Sequence, residues 1–214
     1  MLSSGMGAAA ILASQGKFQR AQAAADAARM RRLIDFTARS METDGPVPFG
    51  CAIYHNKTGR LLLQARNAVA REHDPSSHAE VKAIRLATRR LRQLSLAGYT
   101  LYTTCEPCPM CMSAVLWASL DRVVYGATIA QCNRHCRQIQ IPAREVAERS
   151  DMTCEVEGPL LGEECYALFT HPNMLRAFRS WATRKIPTQK IPARKIPTRK
   201  LSVGKRGGEE TPSR

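Results

Sequence analysis

Apolar residues along the chain follow two spacings, one typical of helices and the other of strands. Between Ala27 and Met41 they recur every three or four positions, which predicts a helix that ends at Asp44-Gly45-Pro46. Short apolar runs at 50–54 and 61–65 flank His55-Asn56-Lys57-Thr58-Gly59, a segment typical of a turn. This part of the chain therefore predicts a helix followed by a β-hairpin.

The rest of the pattern continues to alternate. Asp74 is a suitable N-cap and Pro75 a suitable first residue for a helix that runs to Leu91 and carries His78 in its first turn. Further strands are predicted at 99–103, 122–125 and 153–156, and further helices at 108–119 and 163–179, the latter interrupted near His171-Pro172. Such alternation predicts an α/β fold in which helices cover both faces of a sheet.

Two short motifs carry residues that can bind a metal ion, and each stands where a helix is predicted to begin. They are His78-Ala79-Glu80 and Pro107-Cys108-Pro109-Met110-Cys111. Cys108 and Cys111 are three positions apart, so their sulfurs share one helix face and can bind one ion with the imidazole of His78. Three protein ligands leave the fourth tetrahedral position of a catalytic zinc ion open to water. We therefore predict one Zn²⁺ per chain, bound by His78, Cys108 and Cys111.

Glu80 supplies a carboxylate that the metal does not need. It lies about 200° further round the helix than His78, which allows it to reach the metal-activated water without becoming a ligand. We predict that Glu80 is the catalytic proton shuttle. Taken singly, each of these residues would more often be a buried structural cysteine or a hydrogen-bonded core histidine. A zinc site is favoured because the positions of all three residues agree with it.

These motifs resemble the H-x-E…P-C-x-x-C signature of zinc-dependent nucleobase deaminases. The longer runs at 48–50, 73–81 and 103–111 are similar to those of guanine deaminases and purine nucleoside deaminases. The resemblance covers residues 27–170. It implies a three-layer α/β/α cytidine deaminase-like domain with a mixed five-stranded sheet, and a reaction in which water replaces an exocyclic amine and ammonia is released.

The substrate is narrowed by the same resemblance. Cys105 and Pro109 are similar to the residues of free-purine deaminases, which favours guanine or a related purine, free or as a nucleoside. The resemblance implies that Asn67 holds the base or sugar, unless it is only a turn residue. Phe49 is expected to stack on the base or to pack in the core, and the backbone N–H groups of Ala79 and Cys108 to contact the ring.

Some features leave the identity of the base or nucleoside open. Guanine deaminases carry acidic residues after the fourth strand, where this chain has Ala127-Thr128-Ile129-Ala130-Gln131-Cys132. Their specificity contacts cannot be transferred. We interpret Trp117 as a core residue. Glu106 either caps the helix that follows or orients the site, and the structural role is favoured. We interpret Cys132, His135 and Cys136 as loop residues rather than a second metal site.

Composition and charge divide the chain into three predicted segments. It has 214 residues, 44% of them hydrophobic, enough for one sizeable core. The net charge is +14, of which residues 179–214 contribute +9, with 11 basic and 2 acidic residues.

A five-residue repeat, with copies that start at Lys185, Lys190 and Lys195, has a proline in each copy, which predicts an extended, disordered tail. We predict a flexible extension at 1–26, the deaminase domain at 27–181 and a basic KIPxx-repeat tail at 182–214.

Alternatives remain for localisation and partners. The extension resembles a transit peptide in its Ala and Ser content, but its basic residues are sparse and a frayed extension is favoured. No apolar run reaches the length of a membrane span, and the scattered cysteines fit reduced thiols in a cytoplasmic enzyme. The resemblance implies a homodimer, in which the neighbouring chain completes or flanks the active site.

Two rival functions stay open. The first is an RNA or tRNA adenosine deaminase that uses the basic tail to bind RNA, although the tail has no aromatic residues to stack on bases. The second is a catalytically idle zinc domain that serves as a partner subunit. Glu80 argues against the second, because a purely structural zinc site does not use a proton shuttle.

Overall fold

Five strands form the central sheet of the computed structural model, which describes residues 5–183 and the side chains of residues 13–181. The strands are β1 (Gly50–His55), β2 (Leu61–Arg66), β3 (Tyr99–Cys105), β4 (Arg122–Ala127) and β5 (Glu155–Glu157). Their order in the sheet is β2-β1-β3-β4-β5. β1 pairs antiparallel with β2 and β3, whereas β3, β4 and β5 run parallel to one another. The predicted hairpin and the mixed five-stranded sheet are confirmed.

Helices cover both faces of this sheet. The helices are α1 (Gly5–Ala38), α2 (Val69–Glu72), α3 (Ala79–Leu91), α4 (Pro109–Trp117), α5 (Ile129–Cys132), α6 (Ala143–Glu148), α7 (Gly162–Thr170) and α8 (Pro172–Thr183), and a short 3₁₀ turn spans Arg39–Glu42. Buried residues of α3, α4 and α6 pack on one face, and those of α1, α7 and α8 pack on the other. This is the predicted three-layer α/β/α architecture. None of the helices within residues 5–183 is both long and apolar enough to cross a membrane.

The alternation of side chains along β1 shows how one sheet serves two cores. Cys51 and Ile53 pack in the layer of α3 and α4, whereas Ala52 and Tyr54 pack in the layer of α1 and α7. All four side chains are buried. A strand that is buried on both faces has a continuous run of apolar residues, which is why β1 could be predicted from the sequence.

Gly50 lets the first helix approach the sheet closely. A Cβ atom at this position would overlap the hydroxyl of Thr37, which is buried and donates a hydrogen bond to the carbonyl of Leu33 at 2.7 Å. The Gly50 N–H donates to Thr104 Oγ1 at 2.9 Å, and that hydroxyl donates to the carbonyl of Pro48 at 2.7 Å. The segment Pro48-Phe49-Gly50 is thereby fixed to the end of β3.

Two predicted helix starts are wrong. The first helix begins at Gly5 instead of Ala27, because residues 21–28 are rich in alanine and favour a helix without forming an apolar stripe. α3 begins at Ala79 instead of after Asp74. The carboxylate of Asp74 accepts the Ser76 N–H at 2.8 Å and the Ser76 hydroxyl at 2.7 Å, which stabilises a turn in place of a helix.

The predicted boundary after residue 26 lies inside the first helix, and the predicted boundary after residue 181 lies near the end of the described residues. Residues 5–26, predicted as an extension, are part of α1. The predicted tail lies outside the described residues, apart from Ala182 and Thr183 at the end of α8. The domain boundaries after residues 26 and 181 therefore stay predictions.

Candidate metal centre and active site

The side chains of His78, Cys108 and Cys111 meet where α3 and α4 begin. His78 Nδ1 lies 3.7 Å from Cys108 Sγ and 3.5 Å from Cys111 Sγ, and the two sulfurs are 3.6 Å apart. Ligands of a tetrahedral zinc ion, with bonds of about 2.0 Å to nitrogen and 2.3 Å to sulfur, lie about 3.5 to 3.8 Å from one another. Within the described part of the chain, this is the one group of three residues that can hold a metal ion together. The donor set fits zinc in both chemistry and spacing.

Two helix starts position these ligands. His78 and Cys108 are the N-cap residues of α3 and α4, both with extended backbone, and Cys111 lies in the first turn of α4. His78 was predicted in the first turn of its helix, so its placement is corrected to the N-cap. The positive ends of both helix dipoles still converge on the metal site, as predicted, and favour thiolate ligands.

Hydrogen bonds within this group distribute its charge. The bond between Cys111 and Cys108 lowers the pKa of the Cys108 thiol to about 4, and His78 adds to the effect. The pKa of Cys111 is raised, first by the same bond and then by burial, and the bond to Cys108 raises the pKa of His78. A divalent cation held by His78, Cys108 and Cys111 would remove this competition for the proton, because metal ligation requires both sulfurs as thiolates.

Glu80 lies beside the metal ligands, on the second residue of α3. Its side chain is buried, and burial raises the pKa of the carboxyl group. Oε2 lies 3.6 Å from Cys111 Sγ, and Oε1 accepts a hydrogen bond from Thr103 Oγ1 at 3.1 Å. Glu80 is therefore next to the metal ligands without being one of them, in a position that suits proton transfer.

The predicted substrate contacts lie in three different settings. Asn67 follows β2, and its Oδ1 accepts the Val69 N–H at 3.1 Å. Half-buried Phe49 packs edge to face on Phe169 of α7, with 5.2 Å between ring centroids, so its ring is part of the core. Ala79 is the first residue of α3, and Cys108 caps α4. Their contacts to substrate stay predictions.

The surroundings of Glu106 and Trp117 differ from those predicted from the sequence. Glu106 does not cap α4; its buried carboxylate accepts the N–H groups of Ile129 at 3.1 Å and Ala143 at 3.0 Å. It thereby joins the segments that follow β4 to the metal-binding loop. Trp117, predicted as a core residue, is 77% exposed. Its apolar character alone did not reveal which face of α4 it occupies.

The second cluster of sulfur and imidazole groups has no metal-site geometry. His135 Nε2 lies 2.9 Å from the hydroxyl of Tyr166, whereas Cys132 Sγ lies 2.9 Å from Cys105 Sγ. All eight cysteines of the chain are free thiols. The interpretation of Cys132 and Cys136 as thiols outside the metal site agrees with these contacts.

Comparisons with known proteins place the chain among deaminases. The family model described as "cytidine and deoxycytidylate deaminase zinc-binding region" matches residues 24–127. A guanine deaminase of Bacillus subtilis is 38% identical over 98 residues, which are 46% of this chain and 62% of that protein. A tRNA-specific adenosine deaminase of Buchnera aphidicola is 38% identical over 92 residues, 43% of this chain and 56% of that protein. The chain thus spans less than two thirds of either relative.

A longer match and a solved structure complete the comparison. The solved guanine deaminase of Nitrosomonas europaea is similar in fold, with a TM-score of 0.61 and 24% identity over 72% of this chain and 84% of that one. A probable cytosine deaminase of Schizosaccharomyces pombe is 30% identical over 145 residues, 65% of this chain and 86% of that protein. Because that relative is matched over most of its length and the metal ligands fit zinc, the chain belongs to the cytidine and deoxycytidylate deaminase family of zinc-dependent aminohydrolases.

Proposed function

We propose that this enzyme hydrolyses the exocyclic amino group of guanine or a related purine, free or as a nucleoside, and releases ammonia. The observation that carries the proposal is the buried carboxylate of Glu80, with Oε2 3.6 Å from the sulfur of Cys111. Zinc, when bound by His78, Cys108 and Cys111, supplies the Lewis acid that activates water for attack on the ring. Glu80 would pass one proton of that water to the ring nitrogen and then the second proton, from the hydroxyl formed on the ring carbon, to the amine, which leaves as ammonia while the ring carbon keeps a carbonyl oxygen.

Several residues support a purine as substrate. The segment Cys105-Glu106-Pro107-Cys108-Pro109 resembles that of free-purine deaminases. Since Oδ1 of Asn67 is engaged by the Val69 N–H, its amide group offers donors to an acceptor atom of the base or sugar. The N–H groups of Ala79 and Cys108, at the two helix starts, suit polar contacts to the edge of the ring under attack.

Ammonia release from the zinc-loaded protein tests this function. The assay compares guanine, guanosine, adenine, adenosine, cytosine and cytidine, with Glu80→Gln as the blank and Glu42→Gln, a change at an exposed site, as the matched control. We expect turnover of guanine or another purine by the wild type and by Glu42→Gln, and none by Glu80→Gln. A folded, zinc-bound protein that is silent on every substrate would disprove a free base or nucleoside as substrate.

An RNA substrate is the second candidate. It is favoured by the similarity to tRNA-specific adenosine deaminases and by the net charge of +9 in residues 179–214. The test compares the full chain with a variant that lacks residues 184–214, on an adenosine-containing RNA stem-loop at increasing salt. Under the purine proposal, the shortened enzyme keeps its activity on the small substrate. A steep loss of RNA deamination with salt and with removal of the tail would favour the RNA enzyme.

We also propose a cytoplasmic homodimer. Trp117 is 77% exposed and Met110 36% exposed on α4, the helix that carries Cys111, and Ile141 is 40% exposed. A second copy of the chain would remove these apolar side chains from water, as the family resemblance implies. The six cysteines outside the metal site form no disulfide, which fits a reducing compartment.

A further inference from the structure

Thr103 contacts the carboxylate of Glu80, although the mechanism proposed above gives Thr103 no role. It lies on β3 and is 1% exposed. Its hydroxyl oxygen is 3.1 Å from Glu80 Oε1 and 3.0 Å from the carbonyl oxygen of Cys105. Cys51 on β1 pairs directly with Thr103, so these two side chains lie next to each other on the sheet face that α3 covers.

The hydroxyl has one proton for these two acceptors. A hydrogen bond to an ionised carboxylate is about twice as strong as one between neutral groups. The proton of Thr103 therefore goes to Glu80 Oε1 when Glu80 is a carboxylate, in preference to the carbonyl of Cys105. The carboxylate of Glu80 also accepts a hydrogen bond from its own backbone N–H and lies 3.6 Å from Cys111 Sγ, but within the described part of the chain no other side-chain O–H or N–H group donates to Oε1.

This bond distinguishes the two oxygens of Glu80. Oε1 is directed at the sheet by Thr103, whereas Oε2 lies on the side of the metal ligands, 3.6 Å from Cys111 Sγ. A carboxylate can otherwise rotate about its last bond, since that torsion has a broad energy minimum. A displacement of about 1 Å in a catalytic group can lower the rate about 100-fold.

We propose that Thr103 is a positioning residue for deamination, whose hydroxyl fixes Oε1 of Glu80 so that Oε2 is the oxygen that exchanges the proton. The proposal rests on the proposed role of Glu80. Valine has nearly the shape of threonine and lacks the hydroxyl, so Thr103→Val removes the hydrogen bond to Oε1 without changing the metal ligands. Serine keeps the hydroxyl.

The test uses zinc-loaded, full-length Thr103→Val, Thr103→Ser and Thr100→Val. Thr100 is the matched control, because it is buried on the same strand and donates instead to Asn56 at 2.7 Å. We expect Thr103→Val to lower kcat about 10- to 100-fold and to change KM less than about two-fold. Thr103→Ser should regain most of the lost activity, and Thr100→Val should match the wild type. Zinc content and the visible spectrum of the cobalt-substituted protein should be the same in all four proteins.

Several results would overturn the proposal: an unchanged kcat in Thr103→Val, a failure of Thr103→Ser to regain activity, or a loss of metal in Thr103→Val. If Thr103→Val does not fold, Thr103→Ala takes its place. If the wild type deaminates nothing, the proposed function fails, and crystal structures of the zinc-loaded wild type and Thr103→Val still decide the positioning role. An unmoved Glu80 carboxylate in the variant contradicts it, whereas a rotated carboxylate supports it.

Discussion

Arg122 on β4 donates a hydrogen bond to Asp26 on α1, with 2.8 Å between Nη2 and Oδ2. The side chains are 12% and 5% exposed, so the ion pair is largely shielded from water. Tyr102 on β3 donates to the other oxygen of the carboxylate, and Arg29 donates to the Tyr102 hydroxyl at 3.0 Å. This network joins the first helix to two central strands, on the sheet face opposite the metal centre.

Removal of the Asp26 carboxylate is expected to destabilise the fold. Asp26→Ala takes one partner from Arg122 and from Tyr102, and because Arg122 keeps its pair with Glu157, the cost is that of buried hydrogen-bonding groups left unpaired, on the order of 1–3 kcal/mol. Urea denaturation measures this free energy. Arg31→Ala is the control, because its pair with Glu164 is exposed and such pairs contribute about 0 to 1 kcal/mol. Equal stability of the two variants would contradict the assigned role of Asp26.

The same carboxylate should make stability depend on pH in acid. Burial raises the pKa of Asp26, but the hydrogen bonds from Arg122 and Tyr102 outweigh it and lower the pKa below the usual 3.8. A lowered folded pKa gives stability that is complete above the unfolded pKa of about 3.9 and is lost as the pH falls through the folded value. Unfolding free energies of wild type and Asp26→Asn should therefore converge below about pH 4. A constant difference between them would show that Asp26 is not the titrating group.

Glu106 is expected to order the segments that follow β4. Its two oxygens accept the Ile129 and Ala143 N–H groups at 3.1 and 3.0 Å, and glutamine offers one acceptor oxygen in place of two. Glu106→Gln therefore leaves one buried N–H unpaired, at a cost of about 1–3 kcal/mol. Hydrogen exchange should become faster at Ile129 or Ala143. Glu163→Gln, a change in an exposed contact with Gln131, should leave both amides protected; equal protection in the two variants would refute the prediction.

The exposed face of α4 should hold two copies of the chain together. Trp117→Glu places a charge where we propose an apolar contact, so sedimentation should show a dimer for the wild type and a monomer for the variant. Leu94→Glu is the control, because Leu94 is 88% exposed and lies outside α4. A wild type that is monomeric at assay concentrations, or a Trp117→Glu variant that stays dimeric, would rule out this surface.

Local spacing was enough to predict the metal ligands and most of the strands. His78, Cys108 and Cys111 are each placed by a motif of a few residues at a helix start, so their convergence required only that both helices begin at one edge of the sheet. The central strands are buried on both faces and therefore stand out as apolar runs. The start of α3 was less predictable, because the side chain of Asp74 favours a turn over the helix that its N-cap preference suggests.

Features that depend on packing were not visible in the sequence. Apolar periodicity does not detect the first part of α1, where alanine favours a helix without an apolar stripe. Trp117 is apolar in a helix that is apolar almost all round, so its exposure follows only from the position of the sheet. Thr103 and Glu80 are 23 positions apart, and their contact exists only because α3 packs on β3.

Two substitutions at the site should affect metal binding and catalysis differently. Cys108→Ala removes one of three zinc ligands and should lose the metal, whereas Glu80→Gln keeps all three ligands and should retain one zinc ion per chain while deamination falls to the blank. Metal analysis of the dialysed proteins and the ammonia assay measure the two effects. Cys154→Ala is the control for loss of a thiol, since Cys154 is not in the ligand group. Loss of zinc from Glu80→Gln would indicate that Glu80 is a metal ligand. Full activity of either variant would show that the substituted residue is not needed for deamination.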